Sequence, residues 1–115
     1  MTTTIRNRSA LVKNYRAKLT TSLSEKLDGL FVVFNNQMDD EILDNSTYHS
    51  NHIGFNKADA NILSMIAKDQ LDGKKLSERQ IAEINRRMPK YARQIINTWV
   101  RTGKIVKRNG SYISL

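Results

Sequence analysis

The chain has 115 residues, 39% of them hydrophobic, a net charge of +8 and no cysteine. That length carries one domain, or one domain and an arm, around a core that needs no covalent staple. Lack of cysteine excludes disulfides, thiol nucleophiles and thiolate metal sites. No run of about 18 apolar residues exists to span a bilayer, and the opening MTTTIRNRS has no apolar signal segment. A cytoplasmic location with no membrane partner is therefore expected.

The charge is segregated. Residues 1–27 carry +5, residues 28–73 carry −6 and residues 74–115 carry +9. A basic C-terminal third beside an acidic middle points to a surface for a polyanion, although solvated Lys and Arg faces give the same totals.

Residues 1–8 read as an arm whose Arg6 and Arg8 could reach a phosphate. Leu11, Val12, Tyr15, Leu19, Leu23 and Leu27 then recur at steps of three and four, the stripe of an amphipathic helix. Asn7 or Ser9 would cap its start, and Gly29 would stop it. The stripe suits either the chain's own core or a second copy in a homodimer. Residues 30–34, LFVVF, are β-branched and aromatic. Periodicity alone does not separate strand from helix over so short a run; the expectation is a short buried strand that pairs with the C-terminal hairpin. Residues 35–54 are polar and acidic and read as a connection with at most one helical turn over 39–43. They place a boundary between residues 1–54 (arm, helix and acidic loop) and a module over 55–115.

In that module Asn56 suits an N-cap, Asp59 the first helical turn, and Ile62, Leu63, Ile66, Ala67 and Leu71 an apolar face over a helix of 57–71. Gly73 would end it. Ser77 and Gln80 have the spacing of a capping box, and Leu76 and Ile81 that of a hydrophobic staple. Ile81, Ile84 and Met88 continue the buried face. Pro89, the only proline, ends one helix and suits the first turn of another. In that next helix, 89–102, Ala92, Ile95, Ile96, Trp99 and Val100 fall on one side and Lys90, Arg93, Gln94, Asn97 and Arg101 on the other. Gly103 ends it. In KIVKRNGSYISL, Asn109-Gly110 is a type I′ hairpin pair that sets Val106 against Ile113 and Lys107 against Tyr112.

The expected fold is therefore mainly α with a small C-terminal β-hairpin, a winged helix-turn-helix preceded by an N-terminal helix. A groove-reading helix must bury one face and offer forked donors and acceptors on the other. Arg suits guanine O6/N7, Asn and Gln suit adenine N6/N7, and end cations suit phosphate. Arg93, Gln94 and Asn97 are candidate base readers, Lys90 and Arg101 candidate phosphate contacts, and Lys107 and Arg108 sit at the hairpin tip. Lys74, Lys75, Arg79, Arg86 and Arg87 are placed for the flanking backbone, or simply for solubility. Tyr91 is expected to close the helix–helix corner and Trp99 to lie in the core.

Other chemistry finds little support. His49 and His52 form H-x-x-H without two further zinc ligands. Asp39, Asp40, Glu41 and Asp44 fit a solvated loop better than a cation site or a phosphate mimic. There is no Gly-rich phosphate loop, serine elbow or pair of catalytic carboxylates. A non-enzymatic protein with no metal and no cofactor is expected.

Residues 54–95 resemble a segment of phage-encoded helicases and other phage DNA-metabolism proteins. The resemblance rests on Gly54, Phe55 and Asn56, on Leu76, Ser77 and Gln80, and on Lys90, Tyr91 and Gln94. It covers about two fifths of the chain and implies a small viral accessory protein with a DNA-associated module, acting in the host cytoplasm. The motor motifs are absent, so motor activity is not implied. The functional expectation is duplex DNA binding by a regulator or replication accessory of a phage or mobile element, with RNA and single strands left open. The alternative is a protein-interaction module that binds and inhibits or modulates a host replication, transcription or defence complex.

Overall fold

The computed structural model describes residues 7–44, 54–108 and 110–114, the side chains of 39–44 and Ser114 excepted. It is mainly helical with a small C-terminal antiparallel sheet: α1 (Arg8–Thr21), α2 (Leu23–Asp44), α3 (Ala60–Leu71), α4 (Glu78–Arg87), a 3-10 turn (Met88–Tyr91), α5 (Ala92–Arg101), β1 (Ile105–Arg108) and β2 (Ser111–Ser114). No helix among the described residues is long and apolar enough to cross a membrane.

Asn7 caps α1, its Oδ1 accepting from the Ala10 amide at 2.7 Å. The single helix expected up to Gly29 is two. Ser22 is extended, with φ −122° and ψ 119°, and its amide donates to the Lys18 carbonyl. Its hydroxyl accepts from the Glu25 amide at 3.3 Å, so one residue ends α1 and starts α2. The signal was there: Ser22-Leu-Ser-Glu25 repeats the S-x-x-E spacing of a capping box.

The expected strand at 30–34 is helix, as are residues 35–44, which read as connection. Leu30, Val33 and Phe34 are buried because α2 is flanked by α1, α3, α4 and α5. Burying each such side chain stabilises the fold by about 1.5–3 kcal/mol, whereas helix propensity disfavours a β-branched residue by only about 0.5 kcal/mol, so packing decides. The C-terminal hairpin accordingly has no third strand among the described residues.

Gly29 does not stop the helix; it lets α2 approach its neighbours. A Cβ there would lie 2.7 Å from Ile95 Cδ1 and 3.2 Å from the Tyr15 hydroxyl oxygen. That hydroxyl is buried with no partner among the described residues, and burial together with Glu25 and Asp28 raises its pKa. Gly29→Ala would gain about 1 kcal/mol of helix propensity and lose about 1–3 kcal/mol to overpacking against the fully buried Ile95. The expected result is net destabilisation, read as a lower urea midpoint at unchanged m-value.

Beyond α2 the capping and turn signals hold, but the helices start later than expected: α3 at Ala60 instead of 57, with Asp59 its N-cap residue, and α5 at Ala92, after a 3-10 turn over Met88–Tyr91. Asn56 Oδ1 accepts from the Asp59 amide at 2.9 Å, one turn ahead of α3. Gly73, at φ +79°, closes α3 in a Schellman arrangement, with Lys74 N donating to Asp69 O and Gly73 N to Gln70 O. Ser77 and Gln80 form both bonds of the capping box. Pro89 lies in the first turn of the 3-10 segment that reverses the chain between α4 and α5. The hairpin register pairs Val106 with Ile113 and Lys107 with Tyr112; Gly110 has φ +78°, and Asn109 lies outside the described residues.

One core joins these elements. It takes Leu11, Val12, Tyr15, Leu19, Leu30, Val33 and Phe34 from α1 and α2, and Leu63, Ile66, Ile84, Met88, Ile95, Ile96 and Ile105 from the rest. The boundary at 54/55 therefore divides the sequence by character, while the core draws on both sides of it. Lys26, itself buried, ties α2 across to α4: its Nζ donates to Asn85 Oδ1 at 2.8 Å and to the Thr20 carbonyl at 3.4 Å.

Candidate nucleic-acid interface

Helix α5 divides as its sequence pattern requires. Ala92, Ile95 and Ile96 are buried against α1 and α2. Trp99 is half-buried and meets Tyr15 edge-on, with ring centroids 5.0 Å apart, while Lys104 Nζ lies 4.5 Å from the indole. Arg93, Asn97 and Arg101 are exposed; four residues apart, they share one line along the helix. Among the described residues no carboxylate pairs with Arg93 or Arg101. Lys107 and Arg108 are exposed on β1, beyond the end of α5.

Gln94, expected to face outward, is instead half-buried and bonded within the fold. Its Oε1 accepts from the Gly54 amide at 2.8 Å and from Asn36 Nδ2 at 3.3 Å, and its Nε2 donates to the Gly54 carbonyl at 3.0 Å. Asn36 also donates to the Thr98 hydroxyl at 2.7 Å. The edge of α5 that carries Gln94 and Thr98 is thus occupied by α2 and by the segment leading into α3. Gly54 can sit there because it has φ +86° and no side chain; a Cβ would lie 2.8 Å from Gln37 Cβ. The sequence placed Gln94 in the outward polar arc and carried no sign of the neighbour that covers that edge of it.

Lys90 is tethered as well. Its Nζ lies 2.8 Å from Asp59 Oδ2, although its side chain remains 46% exposed. Asp59, fully buried, also accepts from Arg87 Nη1 and from the Tyr91 hydroxyl, each at 2.5 Å. The Asn56 amide donates to the Tyr91 oxygen at 3.0 Å. Tyr91 closes the helix corner as expected. Asp59 does more than favour the dipole of α3: it makes no cap bond to that helix and instead locks the start of α3 to the turn between α4 and α5. Burial opposes ionisation of Asp59, but hydrogen bonds from Lys90, Tyr91 and Arg87 outweigh it and hold the carboxyl below its usual pKa. Burial, followed by the bond to Asp59, raises the pKa of Tyr91.

A depressed carboxylate pKa stabilises the fold above the unfolded value, near 3.9, and that contribution is lost as pH falls through the folded value. The unfolding midpoint should therefore be insensitive to this group between about pH 7 and pH 5, then fall below about pH 4. Urea melts across that range check it; Asp59→Asn should flatten the acid limb.

The remaining predicted contacts lie on the far side of the turn. Lys75 and Arg79 are exposed with no ion-pair partner among the described residues. Arg86 is exposed but donates to Glu83 at 2.8 Å, and Arg87 reaches the same carboxylate at 2.6 Å. Both bonds lower the Glu83 pKa, that from Arg87 the more. Part of the charge of α4 is thus balanced internally. Arg8, expected in an arm that reaches a phosphate, is the first residue of α1, and its Nη1 donates to Asn97 Oδ1 at 3.0 Å; sequence reasoning missed that contact and missed Tyr112, whose ring lies within 6 Å of both Arg8 Cζ and Lys107 Nζ (5.9 and 5.5 Å). Only the alternating pattern of the hairpin could have pointed to Tyr112. His49 and His52, and the side chains of Asp39, Asp40, Glu41 and Asp44, lie outside the described residues. Among those described there is no cluster of three metal-ligating side chains.

The arrangement is an exposed row of donors on one helix, continued by the half-buried Arg8 at the start of α1 and by exposed cations on the hairpin. Donors and cations of this kind can hold anions such as phosphate. No protein-family model, no curated protein and no solved structure matches the chain.

Proposed function

We propose that this protein binds duplex DNA without catalysing a reaction. In this reading α4, the 3-10 turn and α5 are a helix-turn-helix, α5 is the recognition helix and the β1–β2 hairpin is the wing. The protein would act as a regulator or replication accessory of a phage or mobile element, a role drawn from the resemblance of residues 54–95. One observation carries the reading. Helix α5 buries its apolar side and leaves Arg93, Asn97 and Arg101 exposed in a line, next to a hairpin bearing exposed Lys107 and Arg108.

Fluorescence anisotropy of a labelled duplex, its single strand and a duplex RNA, each from about 50 to 200 mM salt, tests it. Four to six phosphate contacts give an expected slope of log K against log salt of roughly −4 to −5 on duplex DNA. A flat slope, or tighter binding to the single strand, contradicts the reading.

A protein-interaction role has its own support. A groove of about 570 Å³ lies between α2 and α3, lined by Phe34, Met38, Ala60 and Met65 among others. Met38 and Met65 are 38% and 51% exposed, and methionine-lined surfaces accommodate varied partners. Partner capture that survives high salt and charge reversal on α5 would favour this second reading.

A further inference from the structure

The first residue of α1 is a cation at the end of a helix where the macrodipole disfavours one. Asn7 already caps that end, so the stability of α1 does not account for Arg8. Its contacts lie elsewhere. The guanidinium donates to Asn97 Oδ1 at 3.0 Å and lies 5.9 Å from the centre of the Tyr112 ring, which Lys107 also approaches. No carboxylate among the described residues pairs with Arg8 or Lys107. Arg8 thus links the exposed row of α5 to the hairpin.

That contact has a chemical consequence. A guanidinium has donors only, so the Asn97 atom facing it is the carbonyl oxygen, and the Nδ2 amino group is turned away from it. An asparagine reads adenine by accepting from N6 while donating to N7. With one lone pair of its oxygen taken and the other beside a positive charge, Asn97 is a weaker acceptor toward an amino group, while both Nδ2 hydrogens stay available. Base edges made of acceptors, guanine O6 and N7 or thymine O4, match it better than adenine.

We infer that Arg8 is a positioning residue of the DNA surface, which holds Asn97 as a donor and so selects guanine or thymine opposite it. This rests on the duplex-binding reading. The test is selection from a pool of randomised duplexes with the wild type, Arg8→Ala, Arg8→Lys and Asn97→Ala, then affinities for the selected duplex and its single-base variants. The side-chain amide resonance of Asn97 in the free protein is followed alongside. At the position where Asn97→Ala loses its preference, the wild type should select guanine or thymine. Arg8→Ala should move that position toward adenine, weaken binding by about tenfold and shift the Asn97 amide resonance; Arg8→Lys, which keeps a cationic donor, should retain the preference. Adenine selected by the wild type, or unchanged selection and resonance in Arg8→Ala, overturns the role of Arg8 while leaving DNA binding in place. Absence of duplex binding by the wild type, or binding that survives Arg93→Glu with Arg101→Glu, overturns the duplex reading and this role with it.

Discussion

Asp59→Ala is expected to cost about 3–5 kcal/mol of folding stability, the usual loss when one partner of a buried charge network is removed. A domain of this size is stable by roughly 5–15 kcal/mol, so a third or more of the margin disappears. The reason lies in what is left behind. Lys90, Arg87 and the Tyr91 hydroxyl all point at the Asp59 carboxylate, and without it a buried hydroxyl and two cations lose their acceptor at the joint between α3, α4 and α5. Asp59→Asn keeps the shape but turns an amino group toward donors, so it should be nearly as damaging. Lys90→Ala should cost less, because Lys90 is half in water and Arg87 and Tyr91 still serve Asp59. Calorimetric or urea melts at pH 7 check the order Asp59→Ala, then Asp59→Asn, then Lys90→Ala. Lys90→Ala as costly as Asp59→Ala would contradict it.

Arg93→Glu with Arg101→Glu should lower affinity for duplex DNA by about 100-fold or more at low salt and flatten the salt slope, since each arginine contact is worth about 1–3 kcal/mol. Both side chains are exposed and have no carboxylate partner among the described residues, so stability should stay within about 0.5 kcal/mol of wild type. That separation of binding from folding is why these two positions, and not Lys90, are the ones to reverse. Lys90 is bonded to a buried carboxylate, and a glutamate there would face Asp59 and damage the fold.

How much of this could be read from the chain follows from the range of each interaction. The capping box at Ser77 and Gln80, the glycine stop at Gly73, the turn at Pro89 and the hairpin register are set within a few residues, and the sequence displays them. The two faces of α5 are displayed as well, because Ile95 and Ile96 are separated from Arg93 and Asn97 by helix geometry alone. What failed needed a distant partner. Residues 30–34 look like a strand until α1, α3, α4 and α5 surround them and Gly29 admits Ile95. Gln94 reads as part of the polar arc, at its edge, and only the approach of Asn36 and Gly54 shows that it is used internally. Asp59 and Lys90 are 31 residues apart, and Arg8 and Asn97 are 89 apart; no local pattern couples either pair.

The most direct check is a titration of isotopically labelled protein with duplex DNA, followed by backbone and side-chain NMR shifts. The largest changes should fall on Arg93, Asn97, Arg101, Lys107 and Arg8, with little change around Met38 and Met65. Shifts concentrated in the groove between α2 and α3, with the exposed row of α5 unmoved, would contradict the assignment of that row as the DNA surface.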